Sequence, residues 1–253
     1  MLELQKASMW KRMSAALFDG ILTVIVTIGA AFLISALLGY ESHTQQLEAY
    51  YQAYEQQYGV SLDITGTEYE ALSQDARAAY DTAWQALSAD AQVNYTHTLL
   101  INLTFIIMTF GILIGILVFE LLIPLLLGNG QTLGKKIFAI AVMREDGVKL
   151  SPPLLFARTV IGKYTVETMI PVLTVVMMCF DVMGTLGVLV LLALAVMQVI
   201  LLIITKANTP LHDKLAHTVT VDIASQRIFD STEELLAYKQ RVHAEAVEQA
   251  EHR

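Results

Sequence analysis

Arg12 and Asp19 stand seven residues apart at the start of the first long apolar stretch. At about 100° per residue, seven residues come close to two full turns, so both project from one face of a helix. A carboxylate inside a spanning helix costs roughly 3 kcal/mol or more, which marks Asp19 as a functional or structural necessity. Glu120 interrupts a second apolar run, and Pro124 follows four residues later. The proline removes the hydrogen bond that the Glu120 carbonyl would accept, so a kink, a freed carbonyl and an intramembrane carboxylate coincide. His212 and Asp213 follow the last apolar run, and Asp181 is one of two charges between residues 164 and 205. Arg12, Asp19, Asp213 and Glu120 form the candidate charge cluster, with Asp181 and His212 as secondary members. A neighbouring cation lowers a carboxylate pKa while burial raises it, so such a cluster can hold or release protons and small cations. If the first helix enters the bilayer near Met13, Asp19 and Glu120 lie at similar depth, about 9 and 10 Å, and are candidate partners in one site.

Other chemistries fit poorly. Gly128–Lys136 spaces its glycines one residue too widely for a phosphate-binding loop and has Lys136 where a Ser or Thr is required. His212-Asp213 with His217 is half of a metal site, and no further His or Cys cluster completes it. No nucleophile–His–acid set lies in the apolar runs. We expect no enzyme activity, no cofactor, no metal and no nucleic-acid partner.

The elements that must position these residues are mostly apolar helices. Of 253 residues, 55% are hydrophobic and 16% charged, well short of the ~25% charged residues of soluble domains. The 21 residues from Gly20 to Tyr40 carry no charge, nor do the 21 from Leu99 to Phe119. About 20 such residues cross a bilayer core of ~30 Å. The first stretch is too long for the hydrophobic core of a cleaved signal peptide. Residues 164–205 are long enough for two crossings, broken at Met183–Gly187, which gives spans at about 165–183 and 187–205. The single cysteine, Cys179, allows no intrachain disulfide.

Between the spans the charges are segregated, and the net −8 hides this. Residues 41–97 hold nine acidic residues and one basic residue, Arg77. Leu47, Tyr50, Tyr51, Tyr54 and Tyr58 recur at helical steps there, Gly59 and Gly66 bracket a turn, and Thr67 with Glu70 has capping-box spacing. The tyrosine stripe reads as helix–helix packing in a hairpin. Residues 131–166 hold six basic residues, a strand at Ile137–Met143, a turn at Asp146-Gly147 and an amphipathic helix over Leu154–Tyr164. Val219–Ile223 alternates and should pair with the first strand, and Ser231 with Glu234 opens a last polar helix. With four spans and the N-terminus inside, fifteen of sixteen basic residues lie on the cytoplasmic side, which selects that topology. The expected fold is an all-α membrane protein with about four transmembrane helices, a helical acidic extracytoplasmic insertion and a small cytoplasmic β element. Its segments are 1–40, 41–97, 98–127, 128–166, 167–205 and 206–253.

Three ordered motifs resemble the RDD family of small membrane proteins, named for one arginine and two aspartates. They are Arg12-x6-Asp19, then Gly130-Gln131-Thr132-Leu133-Gly134-Lys135-Lys136 with its strand and Asp146-Gly147, then Leu211-His212-Asp213-Lys214-Leu215-Ala216-x-Thr218. Arg12 and Asp19 match the first two family residues and Asp213 is assigned as the third. The motifs bracket about 12–223, with the acidic loop as an insertion and His217 where glycine is frequent. The resemblance implies a bacterial-type inner-membrane protein with a proposed transport role, some relatives being described as cation/proton antiporters.

Two classes of function follow. In one, the lipid-embedded chain exchanges monovalent cations or protons at its intramembrane carboxylates, alone or as a homo-oligomer. In the other, it is an accessory or assembly protein that docks a membrane partner, and Arg12, Asp19 and Asp213 are a structural lock.

Overall fold

The structure is a computed structural model and describes residues 5–179, 182–205 and 208–251. Helix α1 (Met9–Leu37) is followed by α2 (Tyr40–Tyr58), α3 (Gly66–Ala71) and α4 (Gln74–Ala89). Helix α5 (Ala91–Leu127) comes next, then short α6 (Leu133–Ile137) and strand β1 (Ile140–Arg144). Helices α7 (Pro152–Cys179) and α8 (Gly184–Ile204) complete the long apolar set. Short α9 (Leu211–Leu215), strand β2 (Thr218–Asp222) and helix α10 (Thr232–Glu251) end the chain. Among the described residues, α1, α5, α7 and α8 are long and apolar enough to cross a membrane, at 29, 37, 28 and 21 residues. Their outward side chains, such as Ile25, Phe32, Leu189 and Ile203, are exposed and need lipid around them.

Residues 28–111 form one compact unit. Its core is Leu62, Ala83, Leu87 and Val93, and the tyrosine stripe packs against them from α2. Tyr54 donates to Asp90 at 2.9 Å, so the stripe also carries a polar tie to the start of α5. The capping box at α3 is made by Thr65 and Glu68, two residues before the expected Thr67 and Glu70. With both reciprocal bonds made at Thr65 and Glu68, the helix starts at Gly66.

Residues 1–27 with 112–253 form the second unit. Its β1 and β2 pair antiparallel, with Ala141 opposite Val221 and Met143 opposite Val219. These four side chains are the buried centre of the sheet. The first strand begins three residues later than expected. Thr132 caps α6 by accepting from the Lys135 N–H, and Ala139 then takes a left-handed φ of 53°, which ends helix before strand can start. The chain turns at Asp146-Gly147, where the Gly147 N–H donates to the Arg144 carbonyl at 3.0 Å. Ser231 accepts from the Glu234 N–H at the start of α10.

The largest departure concerns α7. The amphipathic helix expected over Leu154–Tyr164 and the span expected at about 165–183 are one helix, Pro152–Cys179. The two prolines start it, as their missing N–H groups cost nothing in a first turn. Arg158–Met169 within it is π-helical, as is Val118–Leu122 within α5. In α7, the Ile170 N–H donates to the Thr165 carbonyl, five residues back, and the Thr165 and Thr168 hydroxyls likewise reach the Val160 and Lys163 carbonyls. In α5, Pro124 has no N–H to give Glu120, and the Ile123 N–H reaches back to Val118.

Candidate functional site, a buried charged chamber

Asp19 is buried in α1 and faces the start of α6. Its Oδ1 accepts from the Gly134 N–H at 2.7 Å, and its Oδ2 accepts from the Thr132 hydroxyl. This contact needs glycine at 134: a Cβ there would lie 2.9 Å from Asp19 Oδ2 and collide with the Ala15 carbonyl. The spacing of Arg12 and Asp19 suggests a pair, but the structure gives Asp19 these two neutral donors. The charge acting on Arg12 is that of Asp213.

Glu120 sits on the π-helical turn of α5, 2% exposed. Its carbonyl, freed by Pro124, accepts from the Thr159 hydroxyl of α7 at 2.8 Å. Its carboxylate meets three cations. Oε1 accepts from Lys163; Oε2 lies 3.5 Å from Lys135 Nζ and 3.6 Å from Arg158 Nη1. Among the described residues, Glu120 Oε2 is the buried side-chain oxygen or nitrogen that makes no hydrogen bond. Lys135 and Gly134 are neighbours in α6, so this one short helix is held to α1 by one residue and faces α5 with the next.

Asp213 on α9 accepts from Arg158 Nε at 2.7 Å, from the Thr218 hydroxyl at 2.9 Å and from Thr220 at 3.4 Å. Burial pushes this carboxyl up, but Arg158 and His212 outweigh it and hold it well below the usual carboxylate range. His212 meets Glu167 of α7 twice, by its backbone N–H at 2.8 Å and its Nδ1 at 2.6 Å. Gln198 of α8 also donates to Glu167, at 3.1 Å. Gly162 lets α9 approach this closely, since a Cβ there would lie 2.8 Å from His212 Cβ.

The π-helix explains which α7 residues arrive. On an α-helix, residues five apart point about 140° away from each other. Where bonds run to the fifth residue, positions five apart stack. Arg158 and Lys163 thus both reach Glu120, and Gly162 and Glu167 both meet His212. A cavity of about 250 Å³ lies among these groups, with Arg12, Asp19, Glu120, Lys135, Arg158, Lys163, His212 and Asp213 in its wall.

Of the residues singled out in the sequence, Arg12, Asp19, Glu120, Asp213 and His212 all line this chamber. Asp181 lies outside the described residues. Sequence reasoning missed Arg158, Lys135, Lys163 and Glu167 as partners. Lys135 had a signal in the Thr132–Lys136 motif; the other three depend on π-helical spacing. The described residues contain no cluster of three His, Cys, Asp or Glu side chains able to hold a metal.

Four membrane-length helices, a two-stranded sheet and an ion-paired chamber between them define a polytopic membrane protein. The sequence model of the RDD family matches residues 6–217, and the chain belongs to that family. The match takes in all three motifs up to His217 and every ionisable chamber residue named above. No curated protein and no solved structure matches the chain.

Proposed function

We propose that this chain is a non-enzymatic protein of the inner cell membrane, with both termini cytoplasmic, that exchanges protons and small cations across it through the charged chamber. The observation that carries the reading is the chamber itself: four basic and three acidic side chains around one cavity, Arg12, Lys135, Arg158 and Lys163 against Asp19, Glu120 and Asp213. Ionisable groups inside a membrane protein are costly and mark ion or proton pathways. Both π-helical turns border the chamber, and such turns have an alternative bonding pattern within reach. Three cations already surround Glu120, which disfavours both a metal cation and a proton on that carboxylate and turns attention to the bases beside it. Four spans are few for a complete pathway, and association of copies in the bilayer would extend it.

The orientation rests on the basic residues beside the sheet. Labelling of single-cysteine variants, with Cys179 replaced, should reach residues 60–66 from outside and 145–148 from inside only. For the exchange, purified protein in vesicles with an imposed pH gradient should dissipate it faster than empty vesicles, and Glu120→Gln should lower that rate. A folded wild-type protein without flux would end the reading. A second reading is then favoured by the pairing of Asp213 with Arg158 and of Asp19 with Gly134: an assembly protein whose chamber is a lock.

A further inference from the structure

We infer that Lys135, and none of the buried carboxylates, is the group in this chamber that releases and takes up a proton. The assignment of this proton to transport rests on the exchange reading above. Asp19 accepts a backbone N–H and a hydroxyl, so both of its oxygens are satisfied as a carboxylate. Asp213 accepts from a guanidinium and two hydroxyls. Glu120 faces three cations. Arg12 and Arg158 keep their protons at any working pH. Lys163 donates to Glu120 and its side chain is 32% exposed, so water also supports its charge.

Lys135 has less such support than Lys163. Its side chain is 13% exposed, and among the described residues its Nζ donates no hydrogen bond. An ammonium has three donors to satisfy. The nearest acceptor, Glu120 Oε2, is 3.5 Å away and accepts no hydrogen bond. Around the cavity stand Arg12 and Asp19 of α1, Glu120 of α5, Arg158 and Lys163 of α7, and His212 with Asp213 of α9. Burial pushes the Lys135 ammonium down; Glu120 opposes it, Arg158 and Lys163 add to it, and Asp19 opposes weakly, leaving it below the usual lysine value. In the step itself, an Nζ–H bond breaks, the electron pair stays on nitrogen and the proton passes to water in the cavity. Glu120 then keeps Lys163 and Arg158 as partners, so no carboxylate is stranded.

The test is a pH titration of lysine side chains by ¹³C- and ¹⁵N-detected NMR on the full chain in detergent, with Lys135 assigned through Lys135→Gln. Lys135 should lose its proton at clearly lower pH than the exposed lysines, Lys136 among them. Glu120→Gln, which removes the counter-charge, should move it lower still. Titration of Lys135 together with exposed Lys136 would overturn the inference. In vesicles, Lys135→Arg keeps the charge but cannot release it, and should cut proton flux at least tenfold, while Lys136→Arg leaves flux unchanged. Full flux in a folded Lys135→Arg protein would also overturn it. A low Lys135 titration with no flux in wild type would uphold Lys135 as the proton site and reject the exchange reading. If the arginine does not fold, the wild-type titration decides.

Discussion

Asp213 and Glu120 are both almost fully buried, and both face Arg158, yet they are held in different ways. Asp213 spends its oxygens on a guanidinium and two threonine hydroxyls at hydrogen-bond distance. Glu120 has one hydrogen bond, from Lys163, and two cations at 3.5 and 3.6 Å that do not bond to it. Asp19 resembles Asp213, with both oxygens taken. The chamber therefore has a closed half, Asp19 and Arg158–Asp213, and an open half, Glu120 with Lys135 and Lys163. Closed geometry repays the desolvation of buried charge with hydrogen bonds; open geometry repays it with one hydrogen bond and otherwise by Coulomb attraction, which leaves room for a proton to move.

Breaking the closed half should have the largest effect. Asp213→Ala leaves Arg158 without its hydrogen-bonded partner and should cost about 3–5 kcal/mol, enough to remove most folded protein. Arg158→Met added to it should recover part of the loss, in a double-mutant cycle on melting temperature in detergent. Asp19→Asn comes next. Its amide oxygen can keep the Gly134 N–H while its nitrogen donates to the Thr132 hydroxyl, so the loss is that of the charge assistance in two buried bonds, about 1–3 kcal/mol. Because Arg12 answers to Asp213, Arg12→Gln should add to that loss and give no rescue. Gly134→Ala should cost about as much, through crowding of Asp19, at ~1–3 kcal/mol.

Much of the closed half could be read in the sequence, and little of the open half. Asp19, Glu120 and Asp213 stand out because a charge in or beside an apolar run is costly wherever the helix lies. The kink at Glu120 follows from Pro124 alone, and the freed carbonyl does find a donor, Thr159. What spacing cannot show is that α7 abandons α-helical geometry. With 100° per residue, Arg158 and Lys163 fall on different faces, and the stretch reads as an interfacial helix beside the membrane. Backbone bonds to carbonyls five residues back, such as that from the Ile170 N–H to Thr165, change the count and bring both cations to Glu120. The strand boundary failed for a local reason, the left-handed turn at Ala139, which no hydrophobic pattern encodes.

The two halves should also differ in pH dependence. Asp213 is held below its unfolded value of about 3.9, so its contribution is complete above that pH and is lost as pH falls through the lower, folded value. Melting temperature should drop on the acid side of about pH 4, and less steeply in Asp213→Asn. Lys135 has the same sign in a far more alkaline window. Its folded value lies below the unfolded ~10.4, so the folded state binds fewer protons in that window and gains stability as pH rises through it. Lys135→Gln should remove that rise.

The smallest effect is expected at Lys163, and it tests the comparison most directly. Lys163 makes the one hydrogen bond to the Glu120 carboxylate, so a count of bonds would rank it with Arg158. Exposure argues the other way: the Lys163 side chain is 32% exposed and Arg158 2%. Ion pairs open to solvent are worth about 0–1 kcal/mol, because water screens the pair and replaces the lost partner. Lys163→Gln leaves Lys135 and Arg158 near Glu120, and its amide can still donate. We expect a loss below about 1 kcal/mol, read as a melting temperature close to wild type, several-fold smaller than the Asp213→Ala effect. A loss as large as that of Asp213→Ala would mean that Glu120 depends on its single hydrogen bond as Asp213 depends on three. The open half would then be a lock as well, and the case for a mobile proton beside it would fail.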